Sequence, residues 1–330
     1  MSKKLKTYAS ALQSGFDYLL ENYNDTFIIG QGLWSPWYVG STMKGLEIKY
    51  GKDRIIDSPV SEAAVTGAAF GAALDGKKAI VVHPRMDFML YAADPIINQI
   101  AKWRSIFGKN AKTNITIRGI INRGGEQGAQ HSQSLQSIFA HIPGLRVVMP
   151  STVSDARDLL IASVLCEDPV IFIDDKWLYD VTDQILDYQE ISLKDQGPEI
   201  IKTGTDVTVV TSGFSLKLAC EARNILEKKN ISCEIIDLRI ISPLKASKII
   251  ESVSKTKRLL CIDGGWSQCG VSSEVLAKIA EDTVSLNLKV PLKRITLPFK
   301  PAPTSINLEK KYYIDSEAIV NTISEMINDK

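Results

Sequence analysis

The sequence predicts an α/β protein built from two tandem domains, each with a mainly parallel sheet. Short runs of apolar and β-branched residues alternate with stretches of helical spacing, which is typical of βαβ units. A polar segment that ends in Gly-Pro interrupts this alternation near residue 190, and 330 residues suffice for two hydrophobic cores. We therefore expect a first domain over 1–185, a linker over 186–200 and a second domain over 201–330.

In the first domain, the expected strands are short, apolar and rich in valine and isoleucine, as strands covered on both faces are. They span 26–30, 77–83, 114–120, 145–150 and 168–174. The expected helices have apolar residues at helical spacing, and the first of them is rich in alanine and glycine. They span 61–74, 94–107 and 154–165.

The second domain shows the same alternation of strands and helices, with segments of different lengths. Strands are expected over 206–213, 232–239, 257–265 and 292–298. An amphipathic helix over 215–229 joins the first two of them.

Composition excludes several classes of function. The formal net charge of +1 argues against nucleic acid and anionic membranes as partners. No segment approaches the roughly 20 apolar residues of a membrane helix, and no signal peptide is recognisable, so we expect a cytoplasmic protein. The five cysteines form no CxxC pair, and we interpret them as small buried apolar residues.

Glu62 is the first candidate for a chemical role. It lies at the start of the helix over 61–74, among small and apolar neighbours such as Val60 and Ala63. A carboxylate at a helix start often only complements the helix dipole. In a dry setting, however, a carboxyl group is suited to exchange a proton with a weak base.

Two further segments carry candidate side chains. The glycine-rich segment over 124–134 contains His131, and it matches no phosphate-binding motif. The segment VVHPRMDF over 81–88 follows a strand and places His83, Arg85 and Phe88 at the carboxyl edge of the sheet, where α/β proteins bind ligands. From local sequence alone, two other interpretations stay open: the segments of His131 and Arg85 could be ordinary surface loops, and Phe88 could be a core aromatic residue.

The motifs together resemble a known family. In order, they are IIDSPVSEAAVTGAAFGAALDGKKAIV, DFMLYAADPIINQIAK, GAQHSQS, PGLRVVMPST, EDPVIFID and GGWSQCGVSSEV. This series resembles the beta subunits of the pyruvate and branched-chain 2-oxoacid dehydrogenases, over about residues 26–305. The resemblance implies a pyrimidine-binding domain followed by a transketolase-type C-terminal domain.

The resemblance also implies roles for residues. Glu62 falls on the glutamate that activates the aminopyrimidine of thiamine diphosphate, so that it is both catalytic and cofactor-binding. Val60 and Phe88 are expected to contact the cofactor, and His131 to be catalytic near the substrate channel. His83 and Arg85 depart from the family pattern, and we expect them in the substrate pocket.

A GDG motif, which holds magnesium and the diphosphate in thiamine enzymes, does not occur in this sequence. The resemblance therefore implies an alpha subunit that carries GDG and binds Mg²⁺, and an α2β2 assembly. A monovalent cation such as K⁺, held by backbone carbonyls near Cys166 and Asp168, is a further expectation.

The implied reaction is decarboxylation of a 2-oxoacid with transfer of the acyl unit to a lipoyl group, with a lipoyl acyltransferase core as a possible partner. The change to His-Pro-Arg over 83–85 favours an alternative, a carboligase that transfers the activated unit to a carbonyl compound such as a sugar. A non-catalytic assembly subunit is the alternative from another class.

Overall fold

The computed structural model describes residues 4–108, 110–282 and 288–328. The chain forms two compact units. The first comprises the residues up to Arg123 together with Gln130–Gln196, and the second comprises Gly124–Ala129 together with the residues from Gly197 onward. The first unit contains the candidate site.

The main sheet of the first unit is parallel throughout, in the order β6-β7-β5-β4-β2-β3. Its strands are β2 (Thr26–Gly30), β3 (Ile55–Asp57), β4 (Lys78–His83), β5 (Ile115–Ile121), β6 (Arg146–Val148) and β7 (Val170–Asp175). A separate antiparallel pair joins β1 (Lys4–Thr7) to β8 (Thr182–Ile185). The central strands β4, β5 and β7 are almost wholly buried, which explains their continuous apolar runs.

The helices of the first unit connect and cover these strands. They are α1 (Tyr8–Asn22), α2 (Leu46–Tyr50), α3 (Glu62–Leu74), α4 (Ala101–Phe107), α5 (Gln136–Ala140) and α6 (Val153–Leu165). A 3₁₀ turn over Met86–Ala92 and a π-helical segment over Asp94–Ile100 lead from β4 into α4. Helices α1 and α6 pack closely because Gly15 has no side chain to separate them from Leu160.

A buried charge pair fixes the centre of this sheet. Arg118 on β5 and Asp174 on β7 are both fully buried and form two hydrogen bonds of 2.8 Å. The hydroxyl groups of Thr42 and Tyr179 accept hydrogen bonds of 2.9 Å and 3.0 Å from Nη1 and Nη2 of the same guanidinium group. A buried pair this complete is costly to break from one side, because the remaining charge would stay buried without a partner.

The second unit has a mixed sheet in the order β14-β13-β10-β11-β9, in which only β9 runs antiparallel to its neighbour. The strands of this sheet are β9 (Glu199–Lys202), β10 (Val207–Thr211), β11 (Cys233–Asp237), β13 (Leu259–Trp266) and β14 (Lys293–Leu297). The short strand β12 (Ile240–Ser242) follows β11 in the chain and is not part of this sheet. The helices of the second unit are α7 (Phe214–Glu227), α8 (Ser247–Thr256), α9 (Val271–Asp282), α10 (Ile306–Tyr312) and α11 (Ser316–Asn328). The buried faces of α7 and α11 share one apolar core with β10 and β11.

The prediction of two α/β domains with mainly parallel sheets is confirmed, and the predicted strands agree with observed ones to within a few residues. The sequence patterns missed α1, α2, α5 and the helices from α8 onward, and they missed the strands β1, β3, β8, β9 and β12. The helix expected over 94–107 begins as a π-helical segment, and only its last part is α-helical. No helix in the described ranges is both long enough and apolar enough to cross a membrane.

Candidate active site

A pocket with about 370 Å³ of empty volume lies at the carboxyl edge of the parallel sheet in the first unit. Its lining comes from the segments that follow β2, β3, β4 and β5, which all end at this edge. The lining residues are Gln31, Tyr38, Glu62, His83, Pro84, Arg85, Phe88 and His131. The pocket therefore has the position at which parallel α/β sheets bind ligands.

Glu62 begins helix α3 and is only 8% exposed. The preceding Ser61 makes no side-chain capping bond to the helix. The amide Nε2 of Gln31 donates a hydrogen bond of 3.2 Å to Oε1 of Glu62. Because Glu62 lines the pocket, its carboxyl group is a buried acid at the wall of an open cavity.

The loop that carries Gln31 depends on two glycines. At Gly30, a Cβ atom would collide with the backbone carbonyl of Val82 on the adjacent strand β4. Gly32 has a φ of +67°, and the ring of Tyr38 lies where its side chain would be. The carboxylate of Asp57 accepts a hydrogen bond of 2.7 Å from the amide of Gly32, which fixes the end of β2 against that of β3.

His83 ends strand β4 and is fully enclosed, at 2% exposure. Its Nε2 lies 3.3 Å from the hydroxyl group of Thr66, which is one turn beyond Glu62 and on the same face of α3. Burial lowers the pKa of His83 to about 4. The imidazole is therefore neutral near pH 7, and it can donate or accept a hydrogen bond in the pocket without adding charge.

Phe88 and His131 form an aromatic pair on another wall. Their ring centroids lie 5.2 Å apart with an interplanar angle of 85°. Asp87, which directly precedes Phe88, ties this segment to the one that carries His131. Its Oδ1 accepts 3.1 Å and 2.9 Å hydrogen bonds from the backbone and side-chain amides of Gln133. Burial raises the pKa of Asp87, whereas the hydrogen bonds from Gln133 act in the opposite direction.

The structure thus brings Glu62, His83, Arg85, Phe88 and His131 together in one pocket. It does not bring Val60 into the lining, because that side chain, two residues before α3, is 77% exposed. Sequence reasoning missed Gln31 and Tyr38 as pocket residues, whereas Pro84 lies in the predicted His-Pro-Arg segment. The run Gly30–Gly32 after a strand was the available signal for Gln31, because paired glycines at a strand end indicate close backbone packing.

In the segment expected to hold a monovalent cation, the acidic residue Asp168 forms ion pairs with two arginines. The carboxylate of Asp168 pairs with Arg104 at 2.5 Å and with Arg146 at 2.8 Å. Cys166 is buried, and burial raises the pKa of its thiol. Within the described ranges, no three His, Cys, Asp or Glu side chains are grouped as metal ligands. The backbone K⁺ site stays a prediction.

The cysteines are all free. Cys166, Cys233 and Cys261 are buried, as predicted. Cys220 is only partly buried, and Cys269 is exposed, so the prediction of burial was wrong for Cys269. Cys269 lies in the turn before α9 with a positive φ of 54°, where its side chain points away from the core.

Two family models together match most of the chain. Residues 4–181 match the pyrimidine binding domain of transketolase, and residues 198–319 match the transketolase C-terminal domain. A solved structure described as "Split gene transketolase, inactive beta4 tetramer" covers 98% of this chain and of its own chain with a TM-score of 0.79. At a sequence identity of 18%, this structural likeness shows a shared fold alone.

The most informative relatives are named beta subunits. Subunit beta of the pyruvate dehydrogenase E1 component of Saccharomyces cerevisiae is 33% identical, over 99% of this chain and 90% of the relative. The chain belongs to the transketolase-like family of 2-oxoacid dehydrogenase beta subunits. Subunits beta of the acetoin:2,6-dichlorophenolindophenol oxidoreductases of Cupriavidus necator and Bacillus subtilis are 39% and 38% identical. They cover 82% and 87% of this chain, and the matches cover 79% and 83% of the relatives.

The first prediction for this family member concerns the neutral state of His83. Its pKa is about 4 in the folded chain and about 6.5 when unfolded, so the unfolded state binds more protons between these pH values. The contribution of His83 to stability is therefore complete above pH 6.5 and is lost as the pH falls toward 4. The predicted loss is of the order of 3 kcal/mol across that window.

Urea unfolding at a series of pH values checks this prediction. His83→Gln should flatten the slope of unfolding free energy against pH between about 4 and 6.5. His141→Gln is the matched control, because His141 is exposed, and it should keep the wild-type slope. An unchanged slope in His83→Gln would contradict a neutral buried imidazole.

The second prediction concerns Asp87. Asp87→Ala removes the acceptor of both Gln133 hydrogen bonds, so we expect a loss of about 1–3 kcal/mol in stability. Faster hydrogen exchange over 131–134 should accompany this loss. Asp87→Asn keeps an acceptor oxygen and should show a smaller effect on both measurements. Equal protection of this segment in Asp87→Ala and wild type would show that Asp87 does not hold it.

Proposed function

We propose that this chain is the beta subunit of a heteromeric enzyme that uses thiamine diphosphate to decarboxylate a 2-oxoacid and pass the acyl unit to a lipoyl group. One observation carries the proposal. A buried glutamate, Glu62, faces a pocket at the sheet edge of a domain that matches the pyrimidine binding domain of transketolase. The relatives named as pyruvate dehydrogenase E1 beta subunits support the same conclusion.

The residues of the pocket fit the aminopyrimidine part of the cofactor. Glu62 offers a carboxyl group to a ring nitrogen, and the ring of Phe88 offers a flat apolar face. Val60 is exposed at the rim and would contact the cofactor only from outside the pocket. When bound, thiamine diphosphate supplies a nucleophilic carbon that attacks a substrate carbonyl and accepts the electron pair of the bond that breaks.

Each residue of the pocket then has a distinct task. Glu62 would hold and return a proton at the pyrimidine nitrogen, with Gln31 fixing its carboxyl group by the 3.2 Å hydrogen bond. His131 would act on the substrate from the wall it shares with Phe88. His83, neutral and buried, would orient the substrate by hydrogen bonding.

This chain has no GDG motif, so a separate alpha subunit would bind Mg²⁺ and the diphosphate. The proposed working unit is therefore an α2β2 heterotetramer, which would deliver acyl units to a lipoyl acyltransferase core. We propose a cytoplasmic location for it. That location stays a prediction, since the relatives include proteins named as mitochondrial.

Two other reactions that would use the same cofactor also have support. His83, Pro84 and Arg85 line the pocket, and this polar wall favours a carboligase that passes the activated unit to a carbonyl compound. The relatives named for acetoin, at 38–39% identity, favour cleavage of a neutral 2-hydroxyketone. An assembly subunit without catalytic function is disfavoured, because such a subunit would have no use for a buried acid in a pocket.

The third prediction tests the role of Glu62. Glu62→Gln keeps the shape and hydrogen bonding of the side chain but cannot exchange the proton. In the complex reconstituted with its alpha subunit, we expect turnover to fall by about 10²- to 10⁴-fold, with assembly unchanged. Glu251→Gln, an exposed change on α8, is the matched control. Full turnover in Glu62→Gln would refute the catalytic proposal and leave the assembly role.

The fourth prediction separates the three reactions. The reconstituted complex receives pyruvate, branched-chain 2-oxoacids or acetoin, with 2,6-dichlorophenolindophenol, a lipoylated domain or an aldehyde as acceptor. We expect release of CO₂ from a 2-oxoacid and acylation of the lipoyl domain. Discharge by the aldehyde alone would establish the carboligase instead. Turnover of acetoin without any turnover of 2-oxoacids would establish hydroxyketone cleavage.

A further inference from the structure

A second cleft in the first unit lies between helix α1 and the segment that leads into α2. It has about 630 Å³ of empty volume and shares no lining residue with the pocket of Glu62. Lysines line it from both sides: Lys6 on β1, Lys44 two residues before α2, and Lys49 on α2. Among the described residues, Asp17 on α1 is the only acid of the lining. The walls of the cleft therefore carry an excess of positive charge.

Hydrogen bonds between the two walls hold this cleft in shape. The amide Nε2 of Gln13 on α1 donates a hydrogen bond of 2.7 Å to the backbone carbonyl of Lys44. The ammonium group of Lys49 and the hydroxyl group of Tyr50 donate hydrogen bonds of 2.7 Å and 2.8 Å to Oδ1 of Asp17. The wall around α2 is thus tied to α1 at both of its ends. The cleft needs no ligand to form, as is usual for small-molecule sites.

Two of the three lysines have no anionic partner. Lys49 is paired with Asp17 at 2.7 Å and lies 3.7 Å from a carboxylate oxygen of Glu21. In the part of the chain that the structure describes, the ammonium groups of Lys6 and Lys44 form no hydrogen bond and no ion pair. Because they lie on opposite walls, an anion in the cleft could contact both of them.

The surroundings of Lys6 are also mainly positive. Its side chain is partly buried. Burial, followed by the positive charges of Arg157 and Lys4, lowers the pKa of Lys6, and the charge of Asp17 acts in the opposite direction. Asp183, which lies opposite Lys6 on β8, accepts a hydrogen bond of 2.7 Å from the next backbone amide instead. Positive charges that line a concave surface focus the electrostatic potential and attract anions.

The side chains of the cleft suit phosphoryl groups. Among its described lining residues there is no arginine, whose planar fork suits carboxylates, whereas the compact charge of lysine suits phosphate. The hydroxyl groups of Ser10 and Ser14 donate hydrogen bonds of 2.9 Å and 2.8 Å to carbonyl groups three residues earlier, and either could rotate toward an anion. Two linked phosphoryl groups would reach Lys6 and Lys44 together better than a single carboxylate.

We propose that the cleft between α1 and α2 binds a small molecule with two linked phosphoryl groups, which Lys6 and Lys44 hold from opposite walls. The site lies outside the pocket of Glu62, so its ligand is not the substrate of the proposed reaction. It gives the chain a second binding function, independent of the chemistry at Glu62.

Calorimetry on the reconstituted complex tests the site, after loading with thiamine diphosphate and Mg²⁺ and removal of excess metal. The loaded cofactor keeps the diphosphate site of the alpha subunit occupied. The probes are inorganic diphosphate, ADP, which carries two phosphoryl groups on a nucleoside, and adenosine, which carries none. We expect Lys6→Gln and Lys44→Gln each to raise the Kd of inorganic diphosphate about tenfold. Lys6→Arg and Lys44→Arg, which keep the charge, should retain most of the affinity, and adenosine should not bind.

Lys77→Gln is the matched control, since it removes an exposed positive charge outside the cleft and should leave every Kd unchanged. Tighter binding of ADP than of inorganic diphosphate identifies a nucleotide as the ligand, and equal binding identifies the phosphoryl groups alone. The inference is overturned if neither probe binds the wild type, or if both bind the glutamine variants as tightly as the wild type. Binding is measured without substrate, so failure of the proposed function would appear separately, as full turnover in Glu62→Gln.

Discussion

The parallel direction of the strands in the first unit is the constraint on which the site depends. Because β2, β3, β4, β5 and β7 run the same way, their carboxyl ends lie along one edge. Side chains far apart in sequence therefore converge in one pocket. The buried pair of Arg118 and Asp174 holds the middle of this sheet, and losing either partner would leave a charge in the core.

The titratable side chains along that edge differ in how their charge is compensated. Arg123 neutralises Asp175, whereas His83 is kept neutral by burial. The pocket thus contains an acid, Glu62, and a cation, Arg85. An enzyme that removes CO₂ from an acid needs both functions, since one group must exchange protons with the cofactor and others must hold the anionic substrate.

The neighbourhood of the pocket shows how backbone packing serves chemistry. Gly30 allows β2 to approach β4 closely, and the absence of a side chain at Gly32 leaves room for the ring of Tyr38. Gln31 between them is thereby directed at Glu62. On the opposite wall, Asp87 anchors Gln133, so that His131 stays beside Phe88. The side chains of the pocket thus depend on neighbours that lie behind its walls.

By itself, the sequence determined the two α/β domains, most strands and the candidates Glu62, His83, Arg85, Phe88 and His131, because apolar periodicity and ordered motifs are local signals. Only the tertiary structure placed Gln31 on Glu62, left Val60 exposed and paired Arg118 with Asp174. The physical reason is that hydrogen bonds and charge balance depend on which strands become neighbours. Strand order is a long-range property of the sheet, and no short segment of sequence encodes it.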